Sequence, residues 1–281
     1  MVPSYRLMGV VNVTPDSFSD GGRFLDSGAA IAHALELVGQ GADILDIGGE
    51  STRPGAESVS ADEEISRVGP VVEGLADGIG NVQISIDTSK LAVAEIALGA
   101  GASLVNDVTA FRGDPQLAGL VADMGADCCL MHMLGEPRTM QHAPVYEDVV
   151  DEVKAFLEER LRFAVGEGVA EEKILLDPGI GFGKRVEHNL ELLRRFDELV
   201  SLGRPLVVGT SRKSFLGRLA GERSEQERLP GTIATNVLAL ERGASVFRVH
   251  DVAPVRDALA VAAATLGERW TARGAGTTAR T

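Results

Sequence analysis

Two groups of side chains in this 281-residue chain could do chemistry together if the fold gathers them. Asp87, Asn106, Asp177 and Lys213 lie in or within a few residues of short apolar runs and offer carboxylate, amide and ammonium groups. A pair of aspartates facing N–H donors suits the guanidine-like edge of a flat polar heterocycle. Asn12, Arg53, Arg248 and His250 form a second, cationic and amide group. Guanidinium forks match paired phosphate oxygens, so this group suits an anion such as diphosphate. Asn12 could also touch a Mg2+ carried by that anion, because Mg2+ commonly keeps its waters and takes few protein ligands.

Other chemistries have weaker footing. The five histidines, His33, His132, His142, His188 and His250, show no metal-ligand spacing. His33 falls in a helical pattern and reads as a surface residue. There is no Gly-x-Ser-x-Gly elbow and no Gly-x-x-x-x-Gly-Lys-Ser/Thr phosphate loop. The spacing in Gly179-Ile180-Gly181-Phe182-Gly183 is wrong for a dinucleotide fingerprint; glycines there let the backbone pass close to a flat ligand.

The elements that must position these residues repeat along the chain. Short apolar, β-branched runs occur at Leu7–Val13, Ala42–Ile47, Val82–Ile86, Leu104–Val108, Cys128–Met133, Ile174–Leu176, Pro205–Val208 and Val246–Val249. Runs of this length and continuity suit strands buried on both faces of a parallel sheet. Helical patterns lie between them. Ile31, Ala34, Leu35 and Val38 follow one helix face and stop at Gly39 and Gly41. Ser60-Ala61-Asp62-Glu63 reads as a capping box, and Asp114-Pro115 as a cap followed by proline at the first helical position. Tyr146–Val165 reads as the longest helix, Asn236–Arg242 ends at Gly243, and Val255–Leu266 closes the series.

Eight such units predict an α/β fold, a single-domain (β/α)8 TIM barrel, with an open doubly wound sheet as the second choice. The barrel is expected over residues 1–271, and 272–281, rich in Gly, Thr, Ala and Arg, as a disordered tail. In a barrel, residues just after the strands converge on one rim. One polar residue after a strand is ordinarily a helix cap, which is reason enough for Thr88 or Ser89, and Asp107 could simply anchor a loop. Eight consecutive strand ends rich in carboxylate, amide or cation are harder to explain as caps alone.

Composition narrows the partners. The net charge of −14 argues against generic nucleic-acid binding, which needs a basic surface to displace counterions. Small-molecule substrates are expected, with no nucleic acid and no membrane, since no apolar run approaches the ~18–20 residues of a membrane span. The only cysteines, Cys128 and Cys129, are adjacent and would face opposite sides of a strand, which disfavours a disulfide and fits a reducing cytoplasm. The N-terminus has no signal-peptide pattern.

The blocks Asn12–Gly22, Gly48–Gly55, Ser85–Thr88, Asn106-Asp107, Asp177–Lys184, Ser211–Ser214 and Arg248–Asp251 resemble, in order, those of the dihydropteroate synthases, pterin-binding TIM-barrel enzymes. The resemblance covers about residues 6 to 266. It implies condensation of 7,8-dihydropterin-6-ylmethyl diphosphate with 4-aminobenzoate, giving 7,8-dihydropteroate and diphosphate in folate biosynthesis. It also implies the roles. Asp87, Asn106, Asp177 and Lys213 would bind the pterin; Asn12, Arg53, Arg248 and His250 the diphosphate, with Mg2+ near Asn12. Thr52, Pro54, Phe182, Lys213 and Ser214 would form the aminobenzoate pocket, where sulfonamides compete. Asp20 would lie near the attacking amine, and Asp20, Asp177 and Lys213 would be catalytic. Family members are usually homodimers.

Two other readings share part of the pattern. A methyltetrahydrofolate–corrinoid methyltransferase would keep the ring-binding aspartates and asparagine but has no use for the first loop or for Ser211-Arg212-Lys213. A non-catalytic pterin-binding paralogue would be expected to lose loop residues, and Asn12, Asp20, Arg53 and Lys213 are all present. Leu134-Gly135-Glu136-Pro137 departs from the family wording, outside the key contacts.

Overall fold

The computed structural model describes residues 5–14, 27–51, 55–56, 58–135 and 139–267. Asp20, Thr52, Arg53, Pro54 and the tail 272–281 lie outside the described residues. The strands are β1 (Arg6–Asn12), β2 (Ile44–Gly48), β3 (Gln83–Asp87), β4 (Leu104–Asp107), β5 (Asp127–Met131), β6 (Ile174–Asp177), β7 (Val207–Val208) and β8 (Val246–Val249). All pairings are parallel, in the order β6-β5-β4-β3-β2-β1-β8-β7. A parallel bridge between Leu176 and Leu206 brings the two ends of the sheet together. The result is the TIM barrel that the alternation predicts, and not the open sheet.

The helices are α1 (Ser27–Gly39), α2 (Ala61–Leu75), α3 (Leu91–Gly99), α4 (Gln116–Asp123), α5 (Val149–Gly166), α6 (Val186–Arg194), α7 (Ser214–Leu219), α8 (Leu229–Glu241) and α9 (Val252–Leu266). Their starts have local causes. Ser60 accepts a bond from the Glu63 N–H, but the Glu63 carboxylate turns to Arg67, so only half of the expected capping box forms. α5 starts at Val149 and not at Tyr146, because the Asp148 carboxylate accepts from the N–H groups of Val150 and Asp151. α8 starts seven residues before Asn236, with Pro230 in its first turn. The Asp114 carboxylate accepts from the Gln116 N–H, leaving Pro115 just outside α4.

The side chains form two apolar layers. Leu7, Leu45, Ile47, Ile86, Val105, Cys128, Leu176 and Phe247 point outward and pack under the helices. Met8, Ile44, Leu104, Cys129, Leu175, Val207 and Val246 form a separate buried cluster inside the barrel. Cys128 and Cys129 thus fall in different clusters and are free thiols, as their adjacency predicts. Below the inner layer, Arg6 donates to Gln83 at 3.3 Å and Gln83 to Asp127 at 2.8 Å, a polar network at the N-terminal end. No helix among the described residues is long and apolar enough to cross a membrane.

Candidate active site

The period of two along a strand decides what stands above the inner apolar layer. Two residues on from Ile44, Leu104, Leu175 and Val246 come Asp46, Asn106, Asp177 and Arg248. The register pairs Asp46 with Ser85 and Asn106 with Asp87. One inward layer therefore carries a ring of polar groups across the C-terminal mouth of the barrel.

Asp46, fully buried, lies at the centre of this ring. Its carboxylate accepts from Ser85 Oγ at 2.6 Å, Asn106 Nδ2 at 3.0 Å and Arg248 Nε at 2.6 Å. Arg248 also donates from Nη2 to Asp87 at 2.6 Å. The guanidinium thus spans two aspartates, which hold it charged against the cost of burial. Asn106 donates one amide N–H to Asp46, and its carbonyl oxygen can serve as an acceptor. Reading the residues by type missed Asp46 as a site residue. Its signal was present, since it is the acidic residue of the Asp46-Ile47-Gly48-Gly49 strand end, aligned in parity with Asn106 and Asp177.

Burial pushes the Asp87 carboxyl up to about 7, against the pull of the Arg248 guanidinium, and the neighbouring Asp46 carboxylate adds to the rise. Burial also raises Asp177, while the Gly179 N–H at 2.7 Å and the cations Lys213, Arg248 and Lys184 oppose it. A carboxyl raised by burial can be drawn to its ionised form by a ligand that donates N–H bonds.

His250 follows β8. The Ser211 hydroxyl oxygen accepts from the His250 backbone N–H at 3.1 Å and lies 2.9 Å from its Nδ1. Burial, then Arg248 and Arg212, pull the imidazole down to about 3. His250 is therefore neutral, with Nδ1 paired to the Ser211 hydroxyl and Nε2 left for a ligand. It offers the mouth a hydrogen bond and not the charge that its residue type suggests. Asn12 ends β1, paired in register with Gly48.

The β7 loop is fixed from behind. Arg212 has φ 57°, a left-handed conformation unusual for a branched-chain-sized residue. Its N–H donates to Thr232 Oγ1 at 3.1 Å, its carbonyl accepts from Arg228 at 2.8 Å, and its guanidinium binds Asp251 through two bonds of 3.0 and 2.6 Å. The next residue, Lys213, sets its Nζ 4.0 Å from the centre of the Phe182 ring. Ser214 begins α7. The β6 and β7 loops thus meet through Lys213 and Phe182.

Two polar strand ends have a structural explanation. Asp107 accepts from the N–H groups of Thr109 and Phe111, both at 2.7 Å, and so anchors a loop in which Ala110 and Phe111 have φ of 54° and 62°. Thr88 Oγ1 accepts from the Lys90 N–H at 3.2 Å, in the turn before α3. After β2, Glu50 accepts from the Val59 N–H at 3.1 Å and from Lys90 Nζ at 2.6 Å, while Lys90 also pairs with the buried Glu64. Among the described residues no cluster of three or more His, Cys, Asp or Glu could hold a metal ion. A lone amide, Asn12, fits a cation that arrives on an anionic ligand better than a resident one.

Comparison with known proteins agrees with this geometry. The family profile of the pterin binding enzymes matches residues 8–250. The dihydropteroate synthase of Escherichia coli K12 is 46% identical over 264 residues, 94% of this chain and 93% of that protein. The Xanthomonas albilineans dihydropteroate synthase solved with 4-aminobenzoic acid superposes with a TM-score of 0.88 at 44% identity, covering 95% of this chain and 99% of that one. With 7,8-dihydropteroate bound, it superposes at 0.85 and 44% identity, covering 94% of each chain. The Yersinia pestis enzyme in complex with a sulfonamide drug gives 0.88 at 45% identity, covering 93% and 94%. With the match running through all eight strands, the chain belongs to the pterin-binding enzymes and, within them, to the dihydropteroate synthases.

Proposed function

We propose that the mouth of this barrel joins 7,8-dihydropterin-6-ylmethyl diphosphate to 4-aminobenzoate in folate biosynthesis, with its residues dividing the work between ring, anion and amine. The observation that carries the division is the inward layer of Asp87, Asn106, Asp177 and Arg248 tied together by Asp46. Asp87 and Asp177 accept from the N–H groups of the pterin, the Asn106 carbonyl accepts a further one, and Lys213 donates to a ring acceptor. Arg248 has one Nη left after its bonds to Asp46 and Asp87. With Asn12, Arg53 and the Nε2–H of His250, it receives the diphosphate. Thr52, Pro54, Phe182, Lys213 and Ser214 line the aminobenzoate pocket, and Asp20 lies near the amine.

The bond from the pterin methylene to the diphosphate oxygen breaks and the diphosphate leaves with the electron pair. The aminobenzoate nitrogen then bonds to the methylene carbon and gives up one proton to solvent or to the departing diphosphate. Such a path is dissociative, and the ring carries positive charge at its midpoint. Asp177, against the ring, stabilises that charge, so the protein supplies electrostatics and positioning more than acid–base machinery. Mg2+, touching Asn12, would neutralise charge on the leaving group. The fold's other expected properties, a homodimer in the cytoplasm, belong to the same reading. Exposed Leu238 on α8 and Val261 on α9 are apolar surface that a second copy could cover.

A coupled assay of diphosphate release with and without 4-aminobenzoate tests the activity. Release that depends on 4-aminobenzoate and yields dihydropteroate is expected, and none above background would overturn the reading. Exchange of bridging and non-bridging oxygen label in the pterin diphosphate is expected for the dissociative path. Strict inversion at a chirally labelled methylene would exclude it.

A further inference from the structure

Lys184 lies under the β6 loop, just 3% exposed, and takes no part in the division of roles above. Its Nζ reaches three acceptors: His132 Nδ1 at 2.8 Å, the Gly179 carbonyl at 2.9 Å and the Phe182 carbonyl at 3.0 Å. An ammonium has three N–H donors and no acceptor, so the charged form fills this set with none left over. Burial pulls Lys184 down to about 7, and the Asp177 carboxylate opposes the fall. His132 completes the fit. Burial and the nearby cations Lys184 and Arg112 hold it far below its usual range, at about 2, so its Nδ1 is free to accept. The Phe156 ring packs edge-on against the imidazole with centroids 4.8 Å apart, which fixes its plane.

The loop that Lys184 holds has one bond of its own, from the Phe182 N–H to the Gly179 carbonyl at 3.0 Å. Gly179, Gly181 and Gly183 all have positive φ, at 67°, 86° and 62°. A run so permissive needs outside bonds to keep one shape. Gln141 donates to the Gly181 carbonyl at 2.6 Å and Tyr146 to the Gly183 carbonyl at 2.8 Å from the outer side. Lys184 Nζ donates to the carbonyls of both Gly179 and Phe182, and Phe182 is the residue that meets Lys213.

We propose that Lys184, with His132 as its acceptor, is a positioning residue for the second substrate: it fixes the Gly179–Phe182 turn and so sets the Phe182 face against Lys213. The inference rests on the placement of Phe182 in the aminobenzoate pocket. The effect is expected mainly on that half of the reaction: Asp87 and Asn106 hang on other strands, and Asp177, which accepts from the Gly179 N–H, is held in place as the last residue of β6.

Steady-state kinetics of Lys184→Met, His132→Phe and Phe182→Ala, each varied against both substrates, tests it. Lys184→Met keeps the stem and removes the three donors. Its KM for 4-aminobenzoate is expected to rise about tenfold or more, equivalent to about 1.4 kcal/mol, with KM for the pterin diphosphate within about twofold. His132→Phe removes one acceptor and keeps a ring, so a smaller rise in the same constant is expected, and this variant carries the test if Lys184→Met does not fold. Equal changes in both KM values would mean a purely structural role and overturn the proposal. A rise with Phe182→Ala but none with Lys184→Met or His132→Phe would also overturn it, leaving the pocket assignment intact. No rise with Phe182→Ala would remove the pocket assignment and the inference with it.

Discussion

Replacing Asp46 by Asn separates charge from hydrogen bonding at the centre of the site. Asp46 is fully buried and accepts three bonds. An Asn of the same shape can keep its oxygen toward Asn106 and Arg248 and turn its NH2 to the Ser85 hydroxyl, which can rotate to accept. The bonds survive, and the negative charge goes. Losing one partner of a buried ion pair costs about 3–5 kcal/mol when the remaining charge is left alone. Arg248 still has Asp87 at 2.6 Å. The expected loss for Asp46→Asn is therefore at or below the low end of that range, about 2–3 kcal/mol. Asp46→Ala loses the bonds as well and should cost about 4–5 kcal/mol. At roughly 2–4 °C per kcal/mol for a large domain, Asp46→Asn should lower the melting temperature by about 5–10 °C. Urea denaturation followed by far-ultraviolet circular dichroism measures the free energies, and thermal melts the shift. Asp46→Asn as stable as the natural protein would refute the charge argument. Asp46→Asn and Asp46→Ala destabilised equally would refute the separation of charge from bonds.

Three further outcomes follow from the same geometry. Asp87 sits at about 7, above an ordinary aspartate, so the folded protein keeps a proton there that the unfolded chain has lost; this group's contribution to stability falls as pH rises from about 4 to 7. Pterin binding at pH 6 should ionise Asp87 and release a proton, seen as a calorimetric enthalpy that changes with the buffer's ionisation heat; buffer-independent enthalpy would contradict it. Gly179→Ala should fold poorly or lose turnover, because its φ is +67° and an added Cβ would lie 1.9 Å from the His132 carbonyl oxygen; a thermal melt like that of the natural protein would show that the turn has another shape. Ser51-Thr52-Arg53-Pro54 carries no insertion and Phe182 keeps its flanking glycines, so turnover should be inhibited by sulfamethoxazole competing with 4-aminobenzoate; activity unchanged at saturating drug would refute this.

Much of the protein is determined by the sequence alone, because the signals are local. Buried parallel strands are short apolar runs whatever surrounds them, so all eight were legible from Leu7–Val13 to Val246–Val249. Asp87, Asn106, Asp177 and Arg248 announced themselves because a polar residue at the C-terminal end of such a run must face either a cap or the barrel mouth, and Lys213 because it follows in the loop after the seventh run. The ordered blocks from Asn12 to Asp251 carried the family. What only the tertiary structure decided were relations between strands. Asp46 became the hub because barrel closure brings β8 beside β1 and sends Arg248 across to Asp46 in β2 and Asp87 in β3, 202 and 161 positions away in sequence. His250 is neutral because burial and the neighbouring cations Arg248 and Arg212, brought from β8 and the β7 loop, disfavour its charge. Thr88 and Asp107, legible as either site or scaffold, turned out to serve their own turns through bonds to neighbouring N–H groups. Lys184 is an ordinary cation in the sequence; only the folded loop gives it three acceptors and a reason to be buried. Residue type fixes which bonds a side chain can make, and the closure of the barrel fixes which partners are there to make them.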